Sequence, residues 1–202
     1  MELSIDTKTI LGLQLPTDPR WVDLAALSLE EILTDHAFCE QKAATTCISI
    51  IQRYSELEKL VIELSPIVTE EWGHFRLVLA ELHKRSLQLG KQRKDEYVNA
   101  LFDFQQKGGS REGRLLDQLL TMALIEARSC ERFKILSQQI NDSELRTFYF
   151  DLMASEAEHY ATFIGFARKY SRGVDVETRW QEFLDFEASL MTKYGKKETM
   201  HG

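Results

Sequence analysis

The chain has 202 residues, 44% of them hydrophobic and 28% charged, with a net charge of −7. These values are typical of a globular protein with one sizeable core, and only three Pro and ten Gly argue against a disordered, collagen-like or all-β chain. The sequence shows neither a membrane-length apolar run nor the basic and apolar regions of a signal peptide. Three cysteines without a CxxC pair favour free thiols. We therefore expect a cytoplasmic protein with no membrane partner.

Apolar residues recur at helical spacing along most of the chain. Asp18-Pro19 is a favourable helix start, and Ser28 with Glu31 has the spacing of a capping box. Pro66 predicts a bend or interruption within the third helix, and Asn141-Asp142-Ser143 predicts the cap of the sixth. The predicted helices begin at Asp18-Pro19 and then cover about 28–54, 56–89, 94–105, 111–139, 143–170 and 175–194.

Four of these helices are long, and this is the anatomy of a four-helix bundle with additional short helices. The predicted organisation is an irregular N-terminal segment over residues 1–16, a helical bundle over 17–195 and a C-terminal tail over 196–202. The fold class that we predict is therefore all-α.

Charged residues stand on the apolar faces of the four long helices. Each face carries one Glu near its centre, and two of the faces add a His three positions later. A buried carboxylate needs a partner, because desolvating its charge costs several kcal/mol. The residues are Glu40 on the first long helix, Glu71 and His74 on the second, Glu126 on the third, and Glu156 and His159 on the fourth.

The spacing of these residues describes two similar helical hairpins. Glu40 precedes Glu71 by 31 positions and Glu126 precedes Glu156 by 30, while His74 and His159 are 85 apart. A Glu from each of two helices and Glu-x-x-His from each of two others is the ligand pattern of ferritin-like di-iron and di-manganese proteins. Four carboxylates balance the charge of two divalent ions, and ligands without thiolates favour iron or manganese over zinc–sulfur or iron–sulfur sites.

The alternative interpretation is two surface Glu–His pairs together with two misassigned helix faces. His36, one turn before Glu40, is interpreted as a surface or packing residue in preference to a residue that supports a ligand, and His83 and His201 are expected to be exposed. Many di-iron oxygenases place Asp before the Glu of Glu-x-x-His; this chain has Glu70 and Ser155 there. The partners of the two ligand histidines therefore stay unassigned.

The ligand pattern leaves several functions open, because fold does not determine function. A ferritin would be shorter, a rubrerythrin would carry CxxC pairs, and a ribonucleotide reductase subunit would be much longer. Oxygenation of a bound substrate is the function that these comparisons favour. The alternatives are a ferritin-like ferroxidase that handles iron without an organic substrate, and a bundle whose metal is structural.

Three segments resemble the bacterial tRNA 2-methylthio-isopentenyladenosine hydroxylase family over about residues 17–195. They are Asp35-His36-Ala37-Phe38-Cys39-Glu40-Gln41-Lys42-Ala43-Ala44, Glu70-Glu71-Trp72-Gly73-His74-Phe75 and Glu156-Ala157-Glu158-His159-Tyr160. The resemblance implies a non-haem di-iron monooxygenase that hydroxylates the isopentenyl group of the modified adenosine next to the tRNA anticodon. It implies two iron ions per chain, held by the six Glu and His residues above, and O₂ and an unidentified electron-donor reductase as partners.

A basic segment gains meaning from this resemblance. Between Lys84 and Arg114 the chain has eight basic and four acidic residues, a charge of +4, so that the remainder carries −11. Basic residues on one face attract phosphate, although a solvated surface is an equally good interpretation. The candidates for contacts with the anticodon stem-loop are Lys84, Arg85, Lys91, Arg93, Lys94, Arg111 and Arg114.

Overall fold

The structure, a computed structural model, describes residues 10–171, 173–194 and 200. Within these ranges the regular structure is entirely helical, and the chain divides into two compact units. Of the described residues, the small unit holds 28–94 and Met200, and the large unit holds the others. The helices are α1 (Trp21–Leu27), α2 (Leu29–Arg53), α3 (Glu58–Lys84), α4 (Glu96–Phe104), α5 (Arg111–Gln139), α6 (Ser143–Tyr170) and α7 (Val176–Tyr194).

The small unit is a hairpin of α2 and α3, which the short connection after Arg53 makes antiparallel neighbours. Ser28 stands at the N-cap of α2 but its side chain makes no capping hydrogen bond. The predicted capping box is therefore wrong, although the predicted start is right. Pro66 lies inside α3, which continues through it as one helix. Of the two alternatives predicted at Pro66, the interruption is therefore wrong, and the bend stays a prediction.

The predicted end of the third helix, near residue 89, is five residues too late. The helix ends at Lys84, and Ser86 adopts a positive φ of 57° that a right-handed helix cannot contain. The amide of Gly90 then donates a hydrogen bond to Thr34 Oγ1 at 3.1 Å. Residues 85–94 thus return along α2 as an irregular segment instead of extending α3.

The large unit is built around α5, which packs along α6 and also contacts α1, α4 and α7. Local sequence defines its helix starts. The helices α4, α5 and α6 have N-cap side chains that accept backbone hydrogen bonds. Asp95 accepts from Val98 N and Ser110 accepts from Gly113 N. Asp142 accepts from both Glu144 N and Leu145 N. The cap predicted at residues 141–143 is confirmed. These starts position α5 and α6 as an antiparallel pair like that of the small unit.

The apolar faces that carry the predicted Glu and His ligands are buried on all four long helices. No described helix is long and apolar enough to cross a membrane. The predicted domain boundaries stay a prediction, since most of residues 1–16 and 196–202, including His201, lie outside the described residues.

Candidate metal centre

The small unit brings three of the predicted ligands together. Glu40 from α2 and Glu71 and His74 from α3 are 5%, 1% and 9% exposed. His74 Nδ1 lies 3.5 Å from Glu40 Oε2 and 3.9 Å from Glu71 Oε2. Glu71 and His74 reach one point because residues three apart share a helix face. Three potential ligand atoms thus converge within 4.8 Å of one another.

His36 joins this group, and sequence analysis assigned it wrongly. Its ring is fully buried on α2, and Nε2 lies 2.7 Å from Glu40 Oε1. An ionised carboxylate only accepts hydrogen bonds, so Nε2 is the donor. The signal was present in the sequence, because His36 lies four residues before a buried Glu, on the same face of the helix.

The electrostatics of Glu40 follow from these contacts. Burial by itself raises the pKa of the Glu40 carboxyl, but hydrogen bonds from His36 and His74 outweigh burial and hold this pKa well below its ordinary value. Glu40 is therefore an anion in the folded protein and is ready to bind a cation.

The large unit holds the second triad. Glu126 from α5 and Glu156 and His159 from α6 are 2%, 2% and 3% exposed. Each offers one ligand atom, and these atoms lie within 4.8 Å of one another. Glu70 is exposed on α3 and Ser155 is half-buried on α6, and the partners of the two ligand histidines stay unassigned.

The chemistry of each triad fits a divalent metal ion. Two carboxylates and one imidazole supply oxygen and nitrogen donors, which suit iron or manganese. Ligand atoms that share one such ion, at bonds near 2.1 Å, are about 3 to 4 Å apart, and the His74 distances fall in that range. Two buried carboxylates side by side are unfavourable alone, and a divalent cation offsets their charge.

A buried ionic network lies on another side of α5 and was not predicted. Arg128 is fully buried. Its Nη2 and Nε atoms donate to Glu187 Oε1 at 2.6 and 3.0 Å, and its Nη1 atom pairs with Glu131. Tyr97 donates to Glu187 at 3.0 Å, and the Thr17 hydroxyl donates to Glu131 at 2.7 Å. The network ties α4, α7 and the segment before α1 to the helix that carries Glu126.

The predicted RNA-contact residues divide between the two units, with Lys84 to Lys94 in the small unit and Arg111 and Arg114 in the large one. Arg85 pairs with Glu81, and Arg93 lies 3.5 Å from Glu31. Arg114 donates to the carbonyl of Gly109 at 2.8 Å. Lys84, Lys91, Lys94 and Arg111 are exposed. Lys91 and Lys94 are thus better placed for an external phosphate than Arg85 and Arg93, which contact acidic side chains.

The helices and the buried Glu and His residues define a class of protein. The chain is all-α and ferritin-like, with buried Glu/His groups that could hold metal ions. A solved structure, described as protein 43 with aldehyde deformylating oxygenase activity from Synechococcus, superimposes with a TM-score of 0.86 at 34% sequence identity. The match covers 96% of each chain.

Sequence comparisons identify the particular family. The model of the family described as tRNA-(MS[2]IO[6]A)-hydroxylase (MiaE) matches residues 5–202, and the chain belongs to this family. A tRNA 2-(methylsulfanyl)-N(6)-isopentenyladenosine(37) hydroxylase of Pseudomonas putida (strain KT2440) is 35% identical over 176 residues, 87% of this chain and 83% of that protein. The protein of the same name from Salmonella typhimurium (strain LT2) is 28% identical, covering 94% of this chain and 87% of that protein.

Proposed function

We propose that the protein hydroxylates the isopentenyl group of 2-methylthio-isopentenyladenosine next to the tRNA anticodon. The observation that carries this proposal is the family match over residues 5–202. The four long helices agree with it, because they bear two buried triads, each with one Glu from the first helix of a pair and Glu-x-x-His from the second. In the reaction, one oxygen atom of O₂ enters a C–H bond of the substrate. The other oxygen atom is reduced to water with two electrons and two protons, and an external donor supplies the electrons. We propose that the protein acts in the cytoplasm.

The two triads together are proposed to hold two iron ions, the cofactor that activates O₂ in this reaction. Glu40, Glu71 and His74 supply donors from the small unit, and Glu126, Glu156 and His159 supply donors from the large unit. The four carboxylates hold the charge of two divalent ions near neutrality. Burial of all six side chains keeps bulk water from the ligands, which strengthens every electrostatic interaction within the site.

An apolar cleft in the large unit suits the apolar part of this substrate. It has a volume of about 420 Å³, and its walls include Cys130 of α5 and Met153 of α6. Cys130 lies one helical turn after Glu126, and Met153 lies one turn before Glu156. We expect Ala154→Trp, which narrows the cleft, to raise KM for the modified tRNA while metal content stays at the level of the unsubstituted protein. An unchanged KM would place the isopentenyl group elsewhere.

The function is tested with protein purified without oxygen and supplied with a chemical reductant as the electron donor. We expect about two irons per chain, and O₂ consumption that depends on an anticodon stem-loop carrying the modified adenosine. The expected product is the hydroxylated nucleoside, detected by mass spectrometry after digestion. A ferroxidase would instead consume O₂ on addition of Fe²⁺ alone and assemble into a large hollow shell. Iron binding without substrate-dependent O₂ consumption would therefore contradict the proposal.

A further inference from the structure

The two triads differ in one buried neighbour. On α2, His36 precedes Glu40 by four residues and donates to its Oε1 atom over 2.7 Å. On α5, the residue four positions before Glu126 is Met122, which is 1% exposed. A thioether has no N–H or O–H to donate. The two triads therefore differ in whether the residue one helical turn before the first Glu can donate a hydrogen bond to it.

The contacts of Glu40 divide between its two oxygens. Oε1 receives the hydrogen bond from His36, whereas Oε2 faces His74 Nδ1 at 3.5 Å. A carboxylate rotates about its last torsion and can present one oxygen or both to a cation. A donor on Oε1 removes this freedom and aims Oε2 towards the ring nitrogen of the other ligand.

From this asymmetry we propose that His36 is a positioning residue that holds Glu40 for metal binding by donating its Nε2 hydrogen to Oε1. Metal binding at the site that includes Glu40 then depends on His36, and metal binding at the other site does not. This inference rests on the metal-binding part of the proposed function. Its physical basis is that a hydrogen bond to a ligand fixes the ligand's orientation before the ion arrives, and losing such a bond weakens metal binding by about 10- to 100-fold.

The test is a titration of the full chain with Co²⁺ alone, without oxygen, read by equilibrium dialysis and metal analysis. The unsubstituted protein should bind two ions per chain. His36→Leu should weaken one of the two sites by about 10- to 100-fold and leave the other unchanged.

A pair of amide variants separates hydrogen bonding from packing. Glutamine carries its amide nitrogen near the place of imidazole Nε2, so His36→Gln should stay within about threefold of the unsubstituted protein. Asparagine is one methylene shorter and cannot reach Glu40 Oε1 from the same backbone position, so His36→Asn should behave like His36→Leu.

Met122→Leu is the matched control, because it changes the corresponding buried position of the other helix pair. Both affinities should stay unchanged, and thermal unfolding without metal should show that every variant is folded. Equal affinities in His36→Leu and the unsubstituted protein would overturn the inference, as would an equal loss in Met122→Leu or in His36→Gln. Absence of metal binding by the unsubstituted protein would contradict the proposed function itself, and this inference with it.

Discussion

The α2–α3 and α5–α6 helix pairs repeat one ligand pattern in different surroundings. In α2, ten of 25 residues are buried, which leaves an amphipathic helix with an exposed face. In α5, twenty of 29 residues are buried, because α6, α1, α4 and α7 all pack against it. The triads nevertheless have the same composition and similar burial. The ligand set is therefore a property of one face of each helix, and the other faces are free to differ.

The differences lie at corresponding positions. Glu40 and Glu126 are 86 residues apart, and the same offset relates His36 to Met122 and Lys42 to Arg128. Lys42 is half-buried, whereas Arg128 is fully buried between two carboxylates. The small unit thus supports its ligand through a neighbouring histidine, and the large unit anchors its central helix through an ionic network.

Removing one ligand from either pair should have the largest effect. We expect Glu71→Ala and His159→Ala each to lower tRNA hydroxylation by more than about 100-fold, because a bound metal ion lowers the barrier of the reaction by several kcal/mol. Iron per chain, measured by metal analysis, should fall to half or less in both. His83→Ala, an exposed residue of α3, is the control. Loss in only one of the two variants would show that the helix pairs are not equivalent in holding metal.

Breaking the ionic network should destabilise the protein strongly. Arg128→Met leaves the carboxylates of Glu131 and Glu187 buried without their cation, and we expect the free energy of unfolding to fall by about 3 to 5 kcal/mol. Lys42→Met, at the corresponding position of α2, should change it by less than about 1 kcal/mol. Denaturant unfolding measures both. Equal effects would mean that the two central helices are anchored alike.

The exposed lysines of the small unit should contribute moderately to RNA binding. Lys91→Ala with Lys94→Ala should weaken binding of the anticodon stem-loop and reduce the slope of log K against log salt by about 2, one for each phosphate contact. Arg85→Ala should have a smaller effect, because Arg85 already pairs with Glu81. Filter binding at several salt concentrations distinguishes these results. An unchanged slope in the double variant would leave these lysines as solvated surface.

The buried thiols should give the smallest difference between the helix pairs. Burial raises the pKa of Cys47 in α2 and of Cys130 in α5 to about 12 in each case, so about one thiol in ten thousand is ionised at pH 8. Only the thiolate reacts with iodoacetamide, and Cys39 is less buried than the other two. Peptide mapping of the native protein should therefore find Cys39 alkylated first. Alkylation of Cys130 before Cys39 would contradict this expectation.

Much of the candidate centre could be predicted from the sequence, because its signal is local. Glu-x-x-His fixes two side chains on one helix face, and a third carboxylate about 30 residues earlier fits a hairpin of two long helices. The helix start capped by Asp142 was equally predictable, whereas Ser28 has the spacing of a capping box but makes no capping hydrogen bond. The end of α3 could not be predicted in this way, because the turn at Ser86 has a positive φ and the sequence has no glycine there to indicate it.

By itself, the sequence determined the helical class, the repeat of two helix pairs and the six residues proposed as ligands, since each depends on spacing along one helix or hairpin. Only the tertiary structure decided the environment of those residues. The spacing of His36 and Glu40 allows their hydrogen bond, but only the packing of the helices buries the His36 ring completely. Arg128 became the centre of a network through Glu187, which is 59 residues away in the chain. Burial and long-range pairing depend on which elements pack together, and the spacing of residues within one helix does not determine which elements those are.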